Sequence, residues 1–438
     1  MPPYLSPEDT GRISFTLQDS LQEKFGVEMM LMQVREQRHP VWNIGIGGSV
    51  AFYPIAHEGL VYFGACDKNF YALDARTGRK IWNFETDGQM VGQACCSDGR
   101  IYFGCFDGNI YCVDAKSGKL VWKFPTKEEI VYTSPVVHNG IVYCGSNDGN
   151  LYALSADKGS LIWKFPTSGK IFSVPLVHKG RIYFGSNDQN FYCLGLSGRL
   201  VWKFGTNAAA GLIRSAALEN TIFFSSFDGK MHAMDTEGRP VWEFAVSEPI
   251  NTSTVLHDGV LYFGSRNCNM YAVSAKDGKQ LWSFRTSNIA GDSGTVHNNV
   301  FYFGACDSNL YALDAKTGEE LWRFSASGMI AHSVPMVHDN RLYFGSHDCN
   351  FYCLNLQGAL LWKFQTSMGS ISQIETGYEP DVQSFRFTWK PMPETAEAKD
   401  RYGPSGIRQE EMASLYGSLD TGYMGSKKEY IGKKKGYR

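Results

Sequence analysis

No apolar run in this 438-residue chain approaches the roughly 20 residues that a membrane-crossing helix needs. The opening MPPYLSPEDTGRISFTLQDS lacks a basic stretch followed by an apolar one, so no secretory leader is expected. Charge of one sign is missing too. The net charge is −2, which leaves no whole-molecule field to draw the protein to nucleic acid or acidic lipid. No HExxH, no GxSxG and no phosphate-cradling glycine loop between strand and helix occurs, so the common hydrolase and nucleotide-binding motifs are absent. Eleven cysteines without a leader read as reduced thiols, and a cytoplasmic location is the expectation.

What the chain has is a period. Nine of its ten tryptophans fall at Trp42, Trp82, Trp122, Trp163, Trp202, Trp242, Trp282, Trp322 and Trp362, with spacings of 40, 40, 41, 39, 40, 40, 40 and 40 residues. A fixed period near 40 marks repeat architecture and takes precedence over any local motif. Residues 130–165 show one unit. A first strand ends at Val136-Val137, and His138-Asn139-Gly140 is its turn. Ile141 to Ser146 form a second strand rich in β-branched and aromatic residues. Asn147-Asp148-Gly149 is a hairpin turn of residues that tolerate positive φ. Asn150 to Ser155 make a third strand and Leu161 to Phe165 a fourth. Four short strands joined by tight turns are one propeller blade.

Eight units run from about Ser49 to Phe364, so the expected fold is all-β: a single closed eight-bladed β-propeller of four-stranded antiparallel blades, with short N- and C-terminal extensions. The expected divisions are 1–40, a segment packing on the ring; 41–366, the propeller; and 367–438, a polar extension with a basic tail. A large indole at one strand position gives each blade a plate to pack on its neighbour. Nine tryptophan strands serve eight blades, so the strand at Trp42 or the one at Trp362 completes the eighth.

The run YFGACDSNLYALDAKTGEELWRF at residues 302–324 resembles the PQQ-like repeat. Quinoprotein dehydrogenases and propeller scaffolds such as the outer-membrane assembly lipoprotein BamB share that repeat. The resemblance covers about three quarters of the chain and implies the propeller fold; it leaves the function open between those branches. Quinoprotein alcohol dehydrogenases also carry an adjacent-cysteine disulfide above their quinone, which Cys95-Cys96 resembles. The register differs: that pair opens the first strand, whereas here only Ser97-Asp98 separates it from Gly99 and the second strand. Two buried strand thiols are expected instead.

Several positions recur with the repeat. His57, His138, His178, His257, His297 and His338 stand at the turn after the first strand, and recurrence there reads as structure. Asp67, Asp107, Asp148, Asp188, Asp228, Asp307 and Asp348, with Asn267, occupy the second turn, where they cap backbone N–H groups. The residues just before them vary: Cys66, Phe106, Asn147, Asn187, Phe227, Arg266, Cys306 and His347. Cys306, His347 and Cys66 follow one another round the closed ring and raise the question of a metal. Equivalent atoms two blades apart are roughly 17 Å apart, far beyond Zn–S bonds of about 2.3 Å, so no metal is expected.

Before the recurrent histidine position the axis-facing strands carry Gln93, Arg214, Asn251, Asp292 and His332, which serve a ligand in the axial funnel or a water-filled channel equally well. Arg214 and Asp292 lead that set, because charge on an axial strand is otherwise costly to desolvate. Ser405 to Leu419 has the pattern of one helix. The tail KKEYIGKKKGYR carries Lys427, Lys428, Lys433, Lys434, Lys435 and Arg438 beside Tyr430, Ile431 and Tyr437, and reads as a solvated tail or a docking peptide for a protein or RNA. The expectation is a non-enzymatic scaffold and subunit of a larger complex, holding proteins by its loop faces and termini, with no cofactor. A small-molecule-binding propeller and a PQQ- and calcium-dependent oxidoreductase are the alternatives.

Overall fold

The computed structural model describes residues 48–366 apart from 51–52, 91, 212–213, 251 and 331–332, and apart from the side chains of 292 and 293. Residues 1–47 and 367–438 are not among those described. The N-terminal segment, the strand at Trp42, the 405–419 helix and the basic tail therefore lie outside the described residues.

Thirty-two strands fall into eight four-stranded antiparallel sheets in chain order, an eight-bladed propeller. Blade 1 runs Ile55–His57, Leu60–Gly64, Asn69–Asp74 and Lys80–Glu85; blade 8 runs Met336–His338, Arg341–Gly345, Asn350–Asn355 and Leu360–Gln365. Second and third strands are buried on both faces, which is why YFG and LYAL read as continuous apolar runs rather than alternating ones. Fourth strands alternate, with Trp and Phe inward and the intervening residue exposed.

The blades grip one another through two sets of aromatic rings. Near the axis, phenylalanines of adjacent blades stack: Phe70 on Phe103 at 4.5 Å and Phe191 on Phe224 at 3.8 Å between centroids. Toward the rim, each indole lies against a glycine of the next blade and most donate Nε1–H to a carbonyl there. Trp82 donates to Ala115 at 3.1 Å, Trp122 to Ala156 at 2.9 Å and Trp282 to Ala315 at 3.0 Å. The tryptophan period thus marks the outer contact, and the inner one is carried by Phe and Tyr.

Blade 8 is complete in itself, with Trp362 on its own fourth strand, so closure needs no strand borrowed from another part of the chain. The seam repeats the other inter-blade contacts. Phe351 stacks on Phe63 at 4.1 Å, and the Tyr343 hydroxyl donates to Ala75 O at 2.9 Å as Tyr62 does to Ala115 O at 3.1 Å. Thr86 Oγ1–H can reach both Lys68 O and Gly88 O; Thr366 likewise reaches Cys349 O and Gly48 O. Gly48 therefore stands where the residue two beyond Thr366 would stand in an unbroken repeat.

The second turns are Asx turns. Asp148 Oδ1 accepts the Asn150 N–H at 3.0 Å and Oδ2 accepts the Tyr152 hydroxyl at 2.6 Å, a pattern shared by Asp67, Asp107, Asp188, Asp307 and Asp348. The left-handed backbone falls on the residue after the Asp: Gly149 has φ +77°, as a glycine in the expected turn allows, and Lys68 and Gln189 both have φ +67°. The side-chain acceptor fixes the turn firmly enough that a residue with a Cβ tolerates that strain.

Candidate functional site

The axis is lined by the segments leading into the first strands. Four residues before the recurrent histidine position the eight units read Tyr53, Gln93, Ser134, Val174, Arg214, Ser253, Ser293 and Val334. Backbone and side-chain bonds tie these entries blade to blade. Gln93 N–H donates to Ser134 Oγ at 2.9 Å, Thr133 Oγ1–H to Ser173 O at 2.9 Å and Thr254 N–H to Arg214 O at 3.0 Å.

Two further bonds cross the axis. Arg214, entering blade 5, donates from Nη2 to Oε1 of Gln93, entering blade 2. Tyr53, entering blade 1, shares a 2.5 Å hydroxyl–hydroxyl bond with Ser253, entering blade 6. The Arg214 guanidinium carbon lies 5.9 Å from the Tyr53 ring centroid, within cation–π range. The space they bound is a cavity of about 450 Å³, also lined by Ser215, Thr254, Thr295 and Pro335. Ser215 is 3% exposed, and its Oγ has no hydrogen-bond partner among the described residues.

The structure thus joins Gln93 and Arg214, one charged and one neutral, into a single pair. Asn251, His332 and the side chain of Asp292 lie outside the described residues. Sequence reasoning missed Tyr53 and Ser253. Aligning every unit on its histidine would have found both, because they share one repeat position with Gln93 and Arg214. The two bonds link blades three apart and bridge the axial cavity, since an arginine and a tyrosine are long enough to span that distance.

Cys95 and Cys96 stand on the first strand of blade 2, Cys95–Ser97, as free thiols; they are half-buried rather than buried. Burial raises the Cys95 pKa, with the Arg214 charge pulling it the other way. None of the eleven cysteines forms a disulfide. Cys66, Cys306 and His347 are each buried, and among the described residues no group of three or more His, Cys, Asp or Glu is placed to hold a metal. The recurrent histidines serve locally: His178 Nε2 bonds Glu219 O at 2.7 Å, and His257 and His338 lie 3.5 Å and 3.4 Å from the next aspartate.

The sequence matches the family described as beta-alanine-activating enzyme, beta-propeller, over residues 50–296. The chain belongs to that propeller family. Residues 287–388 match the outer membrane protein assembly factor BamB family. No curated protein matches the chain by sequence. Among solved structures, the computationally designed Ika8 protein is 16% identical, covering 72% of this chain and 98% of its own, with a TM-score of 0.64. BamB from Moraxella catarrhalis is 17% identical, covering 68% and 91%, with a TM-score of 0.57. Quinohemoprotein alcohol dehydrogenase from Comamonas testosteroni is 14% identical, covering 74% and 77%, with a TM-score of 0.61. At these identities the likeness is one of fold.

The oxidoreductase alternative calls for PQQ with a calcium ion in the axial cavity. PQQ carries three carboxylates and binds with a calcium ion. Among the described residues the cavity lining offers one cation, Arg214, and no carboxylate to hold the metal. The described residues do not fit the group, and no chemical step is derived through it.

Proposed function

We propose that this propeller is a non-enzymatic scaffold that holds partner proteins, as a subunit of a larger complex. One observation carries the reading. The fourth strands present an almost unbroken outer belt of large apolar side chains, twelve in all, from Ile81 at 40% exposed to Leu321 at 53%. Every fourth strand has a bulge at this point; in blade 3, Leu154 pairs with Leu161 and Ala153 with Trp163, skipping Ile162. The extra residue turns both Leu161 and Ile162 outward. Apolar surface of this extent on a rigid ring fits protein contact. Partners through the loop faces and the basic tail, Lys427 to Arg438, belong to the same proposal, as does a cytoplasmic location, which eleven cysteines outside any disulfide favour.

The test is affinity purification of the full chain from its host with quantitative crosslinking. Stoichiometric protein partners are expected. A quinone absorbance that co-elutes with protein loaded with PQQ and Ca²⁺, and bleaches on adding an alcohol, would refute the non-enzymatic reading.

The axial cavity supports a second reading, a small-molecule site, through the unsatisfied Ser215 hydroxyl beside the Arg214–Gln93 pair. Small carboxylic acids screened by thermal shift would bind the wild type and not Arg214→Met. A shift retained in the variant would eliminate that site.

A further inference from the structure

The belt is not uniform, and its asymmetry has chemical content. Both outward positions are apolar in blade 8, Leu360-Leu361, and in three successive blades, 2, 3 and 4: Leu120-Val121, Leu161-Ile162 and Leu200-Val201, each 43–50% exposed. In blades 5, 6 and 7 the first position is Pro240, Gln280 and Glu320. The charges around the two arcs differ as well. The outer strands of blades 2–4 and the turns flanking them expose Lys116, Lys119, Lys123, Lys127, Lys158, Lys164, Arg199 and Lys203. None of these eight forms an ion pair among the described residues. The exposed acids there are Glu128 and Asp157, and Asp157 is engaged by Arg100 at 2.9 Å. Around blades 5–7 four cations are paired, Arg239 with Asp235 at 2.6 Å, Lys230 with Glu243 at 2.8 Å, Lys279 with Asp277 at 3.1 Å and Arg323 with Glu320 at 2.6 Å. Lys276, Arg285 and Lys316 are exposed without an ion pair among the described residues but stand beside the exposed acids Glu237, Glu243, Asp277, Glu319 and Glu320.

We propose that the outer rim of blades 2–4 is a docking surface for an extended, acidic protein segment bearing large apolar side chains. The inference rests on the scaffold reading and names the partner class for one arc of the ring. Charge complementarity calls for an anionic partner, and the paired apolar positions call for one that also buries side chains. Shape selects a chain over a membrane. Blades are about 45° apart, so if the rim lies roughly 20 Å from the axis, blades 2 and 4 fall roughly 6 Å behind a plane touching blade 3. A flat lipid surface would meet one blade, whereas an extended segment follows the curve across three. The partner docks by its side chains and not as an added strand. The bulge interrupts the edge in each blade, and Pro125 and Pro166 end the outer strands of blades 2 and 3.

The probe is a fluorescein-labelled 20-residue peptide alternating Asp or Glu with Leu or Phe, with two matched peptides carrying Ser for the apolar residues or Lys for the acids. Fluorescence anisotropy with the full chain should show saturable binding of the first peptide only, weakening as salt rises. K123E/K164E/K203E and L120S/L161S/L200S should each lower its affinity about tenfold or more. The control V241S/L281S/L321S on the neighbouring arc of blades 5–7 should leave it unchanged; circular dichroism confirms that each variant folds. No binding, or equal loss in the control, overturns the proposal. Binding of anionic phosphatidylserine vesicles lost in the same rim variants, without peptide binding, overturns it in favour of a membrane. Partner recovery from the host separates the two levels. Stoichiometric partners that persist on both rim variants sink the rim proposal and leave the scaffold standing, while a wild-type chain that recovers none sinks the scaffold itself.

Discussion

Gly159 stands at φ +66° in the turn before the fourth strand of blade 3, against the Trp122 indole of blade 2. A Cβ added there would lie 2.5 Å from Cδ2 of that ring, whereas one added at Gly140, φ +71° in the same blade, meets nothing within 4 Å. Alanine at either position forces a Cβ onto left-handed backbone, costing about 1 kcal/mol. Gly159→Ala must in addition push the indole aside, an overpacking cost of about 1–3 kcal/mol. The shift also breaks the 2.9 Å bond from Trp122 Nε1 to Ala156 O, worth about 1 kcal/mol. Gly140→Ala should therefore destabilise by about 1 kcal/mol and Gly159→Ala by about 3–5 kcal/mol. Urea unfolding followed by circular dichroism and by tryptophan emission measures both, and coincidence of the two probes tests that the ring unfolds as one unit. Equal midpoint shifts for the two variants would refute the claim that the indole–glycine contact holds neighbouring blades together.

Three further outcomes follow from the same contacts. Trp362 Nε1 at the seam is buried without a partner among the described residues, unlike Trp122 Nε1. Trp362→Phe should therefore cost about 1–3 kcal/mol less than Trp122→Phe in the same urea assay, and equal costs would contradict the bond's contribution. In blade 5 the tyrosine that caps the second turn elsewhere is His232, 2% exposed, 4.0 Å from Asp228 and 3.2 Å from Glu243, which itself holds Lys230 at 2.8 Å. Burial lowers the His232 pKa against the pull of those two carboxylates. A folded pKa below the unfolded value of about 6.5 means that stability is level above that pH and falls as pH drops through it. His232→Tyr should remove that slope between pH 7.5 and 5.5, with the urea midpoint as readout; an unchanged slope would place the titration elsewhere. Finally, burial first, then the charges of Cys95, Glu58 and Asp98, push the Cys96 pKa up to about 11. Alkylation of Cys96 by iodoacetamide at pH 8, followed by peptide mass spectrometry, should run roughly a hundredfold slower than for a free cysteine, and a free-thiol rate would refute the shift.

The blade grammar was legible because the same physical demand recurs eight times. A turn needing an Asx acceptor shows Asp148 or Asn267, and an inter-blade plate shows Trp122 or Trp282. What recurs once per ring was harder to read. The seam hinges on Gly48 and Thr366, which are adjacent only after the circle closes, so no local pattern announces them. The inner phenylalanine stacks, such as Phe70 on Phe103, sit within apolar runs whose two faces cannot be told apart in one dimension. At the axis Gln93 and Arg214 are legible by their polarity, Asn251, His332 and the Asp292 side chain lie outside the described residues, and Tyr53 shows itself only when the units are aligned on the histidine position.

Repetition also separates what the ring needs from what it leaves free. Where closure dictates the residue, all eight blades agree or nearly so, as at Trp82 and its equivalents. Two surfaces escape that demand. At the axis the eight blades place residues as unlike as Tyr53, Val174 and Arg214, and much of their polarity is spent on one another, through Arg214 to Gln93 and Tyr53 to Ser253. At the rim, Lys80, Leu120, Leu161, Leu200, Pro240, Gln280, Glu320 and Leu360 occupy one equivalent position, all exposed. Nothing within the ring distinguishes these eight sites, so packing cannot explain why leucine fills three in succession amid uncompensated lysines. The docking of an acidic segment proposed above would impose a demand that differs from blade to blade, and the leucine–lysine arc is the pattern it would leave.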